Sequence, residues 1–122
     1  MIEKLLISGI FRSRKRESHY MNDQEPIAIR LDAEMQSIVP KYLANRARDC
    51  DALREQAAKG AFADARRLGH NMKGTGGGYG FEEISRLGAR IEAAAAAGAA
   101  DQLLTLADEL ARYLARVKPV YE

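Results

Sequence analysis

The residues of this chain that could do chemistry centre on one histidine, His70. Four residues fall at positions three or four away from it, and three of these are basic: Arg66, Arg67, Lys73 and Gly74. Positions at this spacing share one face of an α-helix. We therefore expect an imidazole that points to solvent among cations, which keep the ring neutral and nucleophilic. Anionic phosphoryl groups suit such a place, because basic side chains offset their negative charge.

The elements that must position this histidine are helices. After Pro26, four segments carry apolar residues at steps of three and four, which is the period of an amphipathic helix. The first ends at Lys59-Gly60, the third runs through an alanine tract to Gly98, and the fourth stops before Pro119. Four amphipathic helices with short connections cannot bury their apolar faces singly. They predict an all-α fold, an antiparallel up-and-down four-helix bundle with a short N-terminal helix or arm.

The segment from Gly74 to Gly80 is unusually rich in glycine. By propensity alone it favours a loop, because an interior helical glycine costs about 1 kcal/mol relative to alanine. Glycine-rich loops also bind phosphates, but in the Walker A pattern the lysine follows the glycines, whereas Lys73 precedes them. The dinucleotide pattern of spaced glycines does not fit either. Nucleotide binding is therefore not predicted.

Composition narrows the class of protein further. The 122 residues are 47% hydrophobic and 30% charged, which is typical of one globular domain. No apolar run approaches the roughly 20 residues of a membrane-spanning helix. One cysteine and two distant histidines offer no disulfide and no zinc site. We expect a cytoplasmic monomer that binds neither nucleic acid nor membrane, since each apolar stripe can be used inside one bundle.

Charge is unevenly placed along the chain. The net charge is +2, but residues 1–20 contain five basic and two acidic residues, so that the remainder is almost neutral. A nearly neutral body argues against nucleic-acid binding as the main function. We expect residues 1–26 to form a flexible basic extension and residues 27–122 to form the bundle.

The residues around the histidine resemble a known signature. His70-Asn71-Met72-Lys73-Gly74, with Gly80 ten residues after the histidine, is similar to the motif of histidine-containing phosphotransfer (HPt) domains. In that motif a hydrophobic residue, a lysine and a glycine follow the histidine at two, three and four residues, and a glycine–hydrophobic pair follows near ten. Gly77 and Phe81 also match positions of the family. The resemblance covers about residues 35–117.

This resemblance implies a function. HPt domains are four-helix bundles whose exposed histidine accepts a phosphoryl group from a response-regulator aspartyl phosphate and passes it to another receiver domain. They are phosphocarriers without ATP-dependent kinase activity of their own. His70 would be the phosphoacceptor through its distal ring nitrogen, Lys73 would neutralise phosphoryl oxygens, and Gly74 would let the receiver approach. The chain would need no cofactor, since magnesium belongs to the receiver; a hybrid sensor kinase is a further implied partner.

Three more residues complete the predicted partner-binding surface, and a fourth ends the helix that carries it. Helical geometry adds Arg66 and Arg67, and the resemblance adds Gly77. In the family the histidine helix continues beyond the glycine of the motif, so we expect a helix through about Gly78 with Gly80 as its terminating, structural residue.

One alternative belongs to a different class. A non-catalytic helical adaptor in bacterial signalling would use the same bundle without transferring phosphate. The presence of both His70 and Lys73 favours transfer. A sensor-kinase dimerisation domain is disfavoured, because the histidine does not lie on the first helix.

Overall fold

Four α-helices make up most of residues 25–122, the part of the chain that this computed structural model describes. The helices are α1 (Val39–Lys59), α2 (Phe62–Thr75), α3 (Glu82–Ala96) and α4 (Ala100–Arg116). Helix α2 packs most extensively against α3 and α1 against α4, and the contacts α1–α2 and α3–α4 close the ring. The predicted all-α four-helix bundle is confirmed. The predicted basic extension, except for its last two residues, lies outside the described residues.

The core forms where the apolar stripes of the four helices meet. The buried residues of each helix recur mostly at steps of three and four, as the sequence pattern predicts, and the largest side chains of the core are fully buried. Burial of these side chains is the main force that holds the helices together. They are Val39, Leu53, Met72, Phe81, Ile84, Leu87, Ile91, Leu103, Leu106 and Leu110.

The end of α1 follows its predicted signal. Gly60 adopts a left-handed conformation with φ of 72°, and its amide donates to the Ala57 carbonyl. Glycine takes this conformation without steric cost, and Lys59 places a positive charge at the negative end of the helix dipole. The short connection that follows turns the chain back into α2.

Two short strands extend the fold beyond the predicted helices. Strand β1 (Ile27–Leu31) pairs in parallel with β2 (Val117–Tyr121), and a 3-10 helix at Ala33–Ser37 leads from β1 towards α1. The sequence pattern placed Val117 on the last helix, but the backbone becomes extended there, with ψ of 136°. Pro119 contributes to the change, because proline disfavours the helical conformation of Lys118, the residue before it, and is tolerated in the edge strand of a sheet.

Helix α2 ends at Thr75, three residues earlier than the family pattern suggested, and a 3-10 turn at Gly77–Tyr79 follows. The cause is a serine hydroxyl from α3. Ser85 Oγ accepts from the Gly77 amide at 2.8 Å and donates to the Lys73 carbonyl at 3.0 Å. These two backbone groups would otherwise bond to each other in a continuing α-helix, so the inserted hydroxyl interrupts the ladder.

Gly80 ends the turn as predicted, and its backbone conformation requires glycine. Its φ is 94°, and an added Cβ would collide with the Leu31 side chain. We expect Gly80→Ala to lower the free energy of unfolding by about 1–2 kcal/mol, the cost of a left-handed alanine, plus the cost of moving Leu31. Gly78→Ala is the matched control, because no atom of the described residues lies within 4 Å of an added Cβ there. Urea denaturation showing equal midpoints for the two variants would contradict this assignment.

Candidate functional site

His70 lies on the outer face of α2, with its side chain 66% exposed. Its neighbours Gly69 and Met72 are buried against α3 and the core, so the histidine lies on the opposite, outer face of the helix. The predicted exposure of the imidazole is confirmed. The ring is therefore accessible to another protein without any change in the bundle.

A carboxylate from α3 holds the imidazole in place. Glu92 Oε2 lies 3.0 Å from His70 Nδ1, and Glu92 Oε1 lies 2.8 Å from the Lys73 ammonium. The glutamate side chain is only 20% exposed, so that it is better shielded from water than the two groups it bridges. The three side chains form one network that spans α2 and α3.

The electrostatics of this network determine which ring nitrogen is free. Hydrogen bonds from Lys73 and, second, from His70 hold the pKa of Glu92 below its usual range. An ionised carboxylate only accepts hydrogen bonds, so in the neutral ring the hydrogen resides on Nδ1 of His70. The lone pair is then left on Nε2, the distal nitrogen.

The surroundings of the histidine differ from the sequence expectation in one respect. The expectation of a purely basic environment is wrong, because Glu92 is the charged group bonded to the ring. Lys73 is paired with the same carboxylate, and Arg67 donates to Asp64 at 3.1 Å. The helix-face argument counted neighbours on α2 alone, whereas the antiparallel packing of α3 supplies the anion.

A shallow groove runs beside the histidine on its N-terminal side. Its volume is about 290 Å³, and two exposed arginines, Arg66 and Arg67, line it together with Ala63, His70 and Glu92. The predicted arginines therefore do lie on the same surface as the imidazole. They give the groove a positive rim suited to an anionic partner.

The two predicted partner-binding glycines occupy different environments. Gly74 is exposed, and an added Cβ would meet no atom of residues 25–122 within 4 Å, so this part of the chain leaves the surface next to the histidine open. Gly77 lies beyond the end of α2 in the 3-10 turn, where an added Cβ would come within 3.0 Å of the Glu82 carboxylate. Gly74 thus shares the face of His70 and Lys73, whereas Gly77 is tied to the start of α3.

Glu92 is the functional residue that the sequence reasoning missed. It is separated from His70 by 22 residues and looks like an ordinary polar residue beside the apolar stripe of α3. The signal that could have found it is the antiparallel register of the α2–α3 pair, in which Glu92 faces the level of Gly69.

Other chemistries find little support in the described residues. Over residues 25–122, His, Cys, Asp and Glu side chains form no group of three that could hold a metal ion. No helix of the same part of the chain is long and apolar enough to cross a membrane. Cys50 is buried, and burial raises the pKa of its thiol to about 11, which makes it a poor nucleophile.

Comparison with known proteins agrees with the geometry of the site. The family model for the Hpt domain matches residues 37–118, a span that includes all four helices and the His70–Lys73–Glu92 network. A search of curated proteins and a search of solved structures found no match. Hpt domains are phosphocarrier modules that interact with receiver domains and kinases in phosphorelays. This chain therefore belongs to the Hpt domain family and has a phosphotransfer role in two-component signalling.

Proposed function

We propose that this chain carries a phosphoryl group on Nε2 of His70, accepting it from the aspartyl phosphate of one receiver domain and passing it to another. The observation that carries the proposal is an exposed imidazole whose Nδ1 is held by Glu92, so that the distal nitrogen is left as the nucleophile. The open surface at Gly74 supports it, because a second protein must come very close to the ring.

The transfer step follows from this arrangement. The Nε2 lone pair attacks phosphorus in line, an N–P bond forms, and the P–O bond to the aspartyl carboxylate breaks. The free carboxylate remains on the receiver. The ring gains positive charge in this step, and Glu92 offsets it by accepting the hydrogen bond from Nδ1–H. The same contacts serve the reverse step, because the carboxylate stays in place.

Cations around the ring supply the charge that the phosphoryl group needs. The Lys73 ammonium has three donors, and one of them is used on Glu92 Oε1, which leaves two for phosphoryl oxygens. Arg66, one turn before the histidine, is a second source of positive charge on the same face. Arg67 is less available to the phosphoryl group, since Asp64 already binds its guanidinium. In this proposal Arg67 therefore acts mainly on the docked partner.

The partner in this proposal is a receiver domain, with a hybrid sensor kinase as a further one. Arg66, Arg67, Gly74 and Gly77 form the contact surface, and magnesium resides on the receiver, so that this chain itself needs no cofactor. The proposal includes a cytoplasmic location and a monomeric bundle. Sedimentation velocity of the chain tests the oligomeric state.

A direct transfer assay tests the proposed function. A receiver domain is labelled with radioactive acetyl phosphate, freed of excess reagent and mixed with this chain. We expect the label to move to the chain in a form that is lost in acid and kept in base, as is typical of a phosphoramidate, and mass spectrometry to locate it on His70. A chain that binds the receiver but takes no label would instead be the adaptor.

The contribution of Glu92 is tested by Glu92→Gln. Carboxylates that orient a metal-binding histidine through the same hydrogen bond change activity by about 10- to 100-fold. We expect transfer to slow by about tenfold, the low end, because water competes for the exposed ring of His70. Single-turnover transfer rates measure this, and Glu109→Gln, which removes a glutamate paired with Arg90 on the α3–α4 side, is the matched control.

The effect of Glu92 also has a predictable pH dependence. Because its folded pKa is lowered, its contribution to folding is complete above the ordinary glutamate pKa and is lost as pH falls through the lowered value. The stabilities of the original chain and of Glu92→Gln should therefore converge in acid and differ at neutral pH. A difference that grows as pH falls would contradict the bridging role.

A further inference from the structure

Two glycines bring the backbones of α2 and α3 into direct contact. An added Cβ on Gly69 would lie 2.5 Å from the Glu92 amide nitrogen and 2.8 Å from the Gly88 carbonyl oxygen. An added Cβ on Gly88 would lie 2.5 Å from the Lys73 amide nitrogen and 2.8 Å from the Gly69 carbonyl oxygen. Both glycines are buried, and such short contacts to backbone cannot be relieved by a side-chain rotation.

The atoms that these glycines touch belong to the site. Gly69 contacts the backbone of Glu92, and Gly88 contacts the backbone of Lys73. The side chains of Glu92 and Lys73 form the ion pair beside His70. The distance between α2 and α3 at this crossing therefore determines whether the Glu92 carboxylate reaches His70 and Lys73. We propose that Gly69 and Gly88 are positioning residues, which place the Glu92 carboxylate within hydrogen-bond distance of His70 and Lys73. The functional consequence rests on the proposed phosphotransfer at His70.

The distances involved make this positioning sensitive. Glu92 lies 3.0 Å from His70 Nδ1 and 2.8 Å from Lys73 Nζ, which are ordinary hydrogen-bond lengths. An alanine at the crossing must move the facing backbone by about 1 Å to reach normal van der Waals contact. Hydrogen bonds weaken beyond about 3.2 Å, so a shift of this size exceeds the tolerance of both bonds.

The test is Gly88→Ala, with the titration of the Glu92 carboxyl carbon followed by NMR. In the original chain the pKa of Glu92 lies below its usual range, and we expect it to rise towards the ordinary value in the variant. The nitrogen shifts of the His70 ring should show a smaller share of the form with hydrogen on Nδ1. Transfer should slow by up to the tenfold expected for Glu92→Gln, because the same contact is weakened.

A third glycine, Gly76 at the C-terminal cap of α2, supplies a matched control. An added Cβ on Gly76 would lie 2.5 Å from the Ser85 amide nitrogen and 2.8 Å from the Phe81 carbonyl oxygen, so the collision is of the same kind. It occurs near the turn, away from Glu92. Gly76→Ala should lose comparable stability and shift the Glu92 titration less. An equal shift in both variants, or no shift in folded Gly88→Ala, overturns the proposal.

One further readout keeps the outcome decisive. If Gly88→Ala does not fold, NOEs in the original chain between the α protons of Gly69 and the Glu92 amide proton test the contact itself, and their absence overturns the proposal. The titration requires no receiver domain. A chain that shows the expected Glu92 shift yet never takes phosphate would refute the proposed function and leave the positioning role standing.

Discussion

His70→Gln is expected to abolish phosphorylation of the chain, with no label above background after incubation with a phosphorylated receiver. Glutamine keeps the polarity and approximate size of the side chain but has no nitrogen lone pair that can form a P–N bond. The side chain is exposed, so the free energy of unfolding should change by no more than about 0.5 kcal/mol. Circular dichroism and urea denaturation of the variant verify that the bundle is intact.

The control for this experiment is the same change at the other histidine. The chain contains two histidines, and His19→Gln should leave labelling at the level of the original chain. Retention of label in His70→Gln would show that His70 is not the phosphoacceptor, and loss of label in His19→Gln would show that the loss is not specific to His70. An acid-stable label would point to a different side chain altogether.

Gly74→Arg is expected to reduce transfer by about 100-fold or more while the bundle remains folded. Within the part of the chain that the structure describes, no atom lies within 4 Å of an added Cβ, so the arginine would project from the surface next to His70. In-line transfer requires close approach of the receiver, and a misplacement of about 1 Å can cost about 100-fold. Replacing a helical glycine also removes a helix propensity penalty of about 1 kcal/mol, so stability should not fall.

Binding and chemistry can be separated in this variant. Isothermal titration with a receiver domain should show a large loss of affinity for Gly74→Arg. Ala58→Arg, which adds the same charge at an exposed position on α1, should bind and transfer as the original chain does. Full affinity in Gly74→Arg, or an equal loss in Ala58→Arg, would remove Gly74 from the docking surface.

Sequence features that act within one element were sufficient to predict much of the fold and part of the site. The spacing of apolar residues predicted four helices, and Gly60 and Gly80 end their segments with the left-handed conformation that glycine favours. The exposure of His70 followed in the same way, because its neighbours Gly69 and Met72 carry the apolar face of α2. Each of these inferences depends on the direction of side chains around one helix axis, which the sequence contains.

Contacts between elements could not be predicted in this way. Ser85 ends the α-helical part of α2 from another helix, and two strands at opposite ends of the described chain pair with each other. Helix periodicity states which face is buried but not which residue lies opposite, because the register between two helices depends on how both surfaces pack. Local propensity therefore does not predict these partners.

The sequence by itself determined a bundle with an exposed histidine, a nearby lysine and an open glycine. Only the tertiary structure decided that Glu92 bonds to that histidine, and that Gly69 and Gly88 bring its helix close enough. The physical reason is that a hydrogen bond needs its two atoms within a few tenths of an ångström of the proper distance. Across 22 residues of chain, that precision comes from the contact of two backbones and not from the composition of either helix.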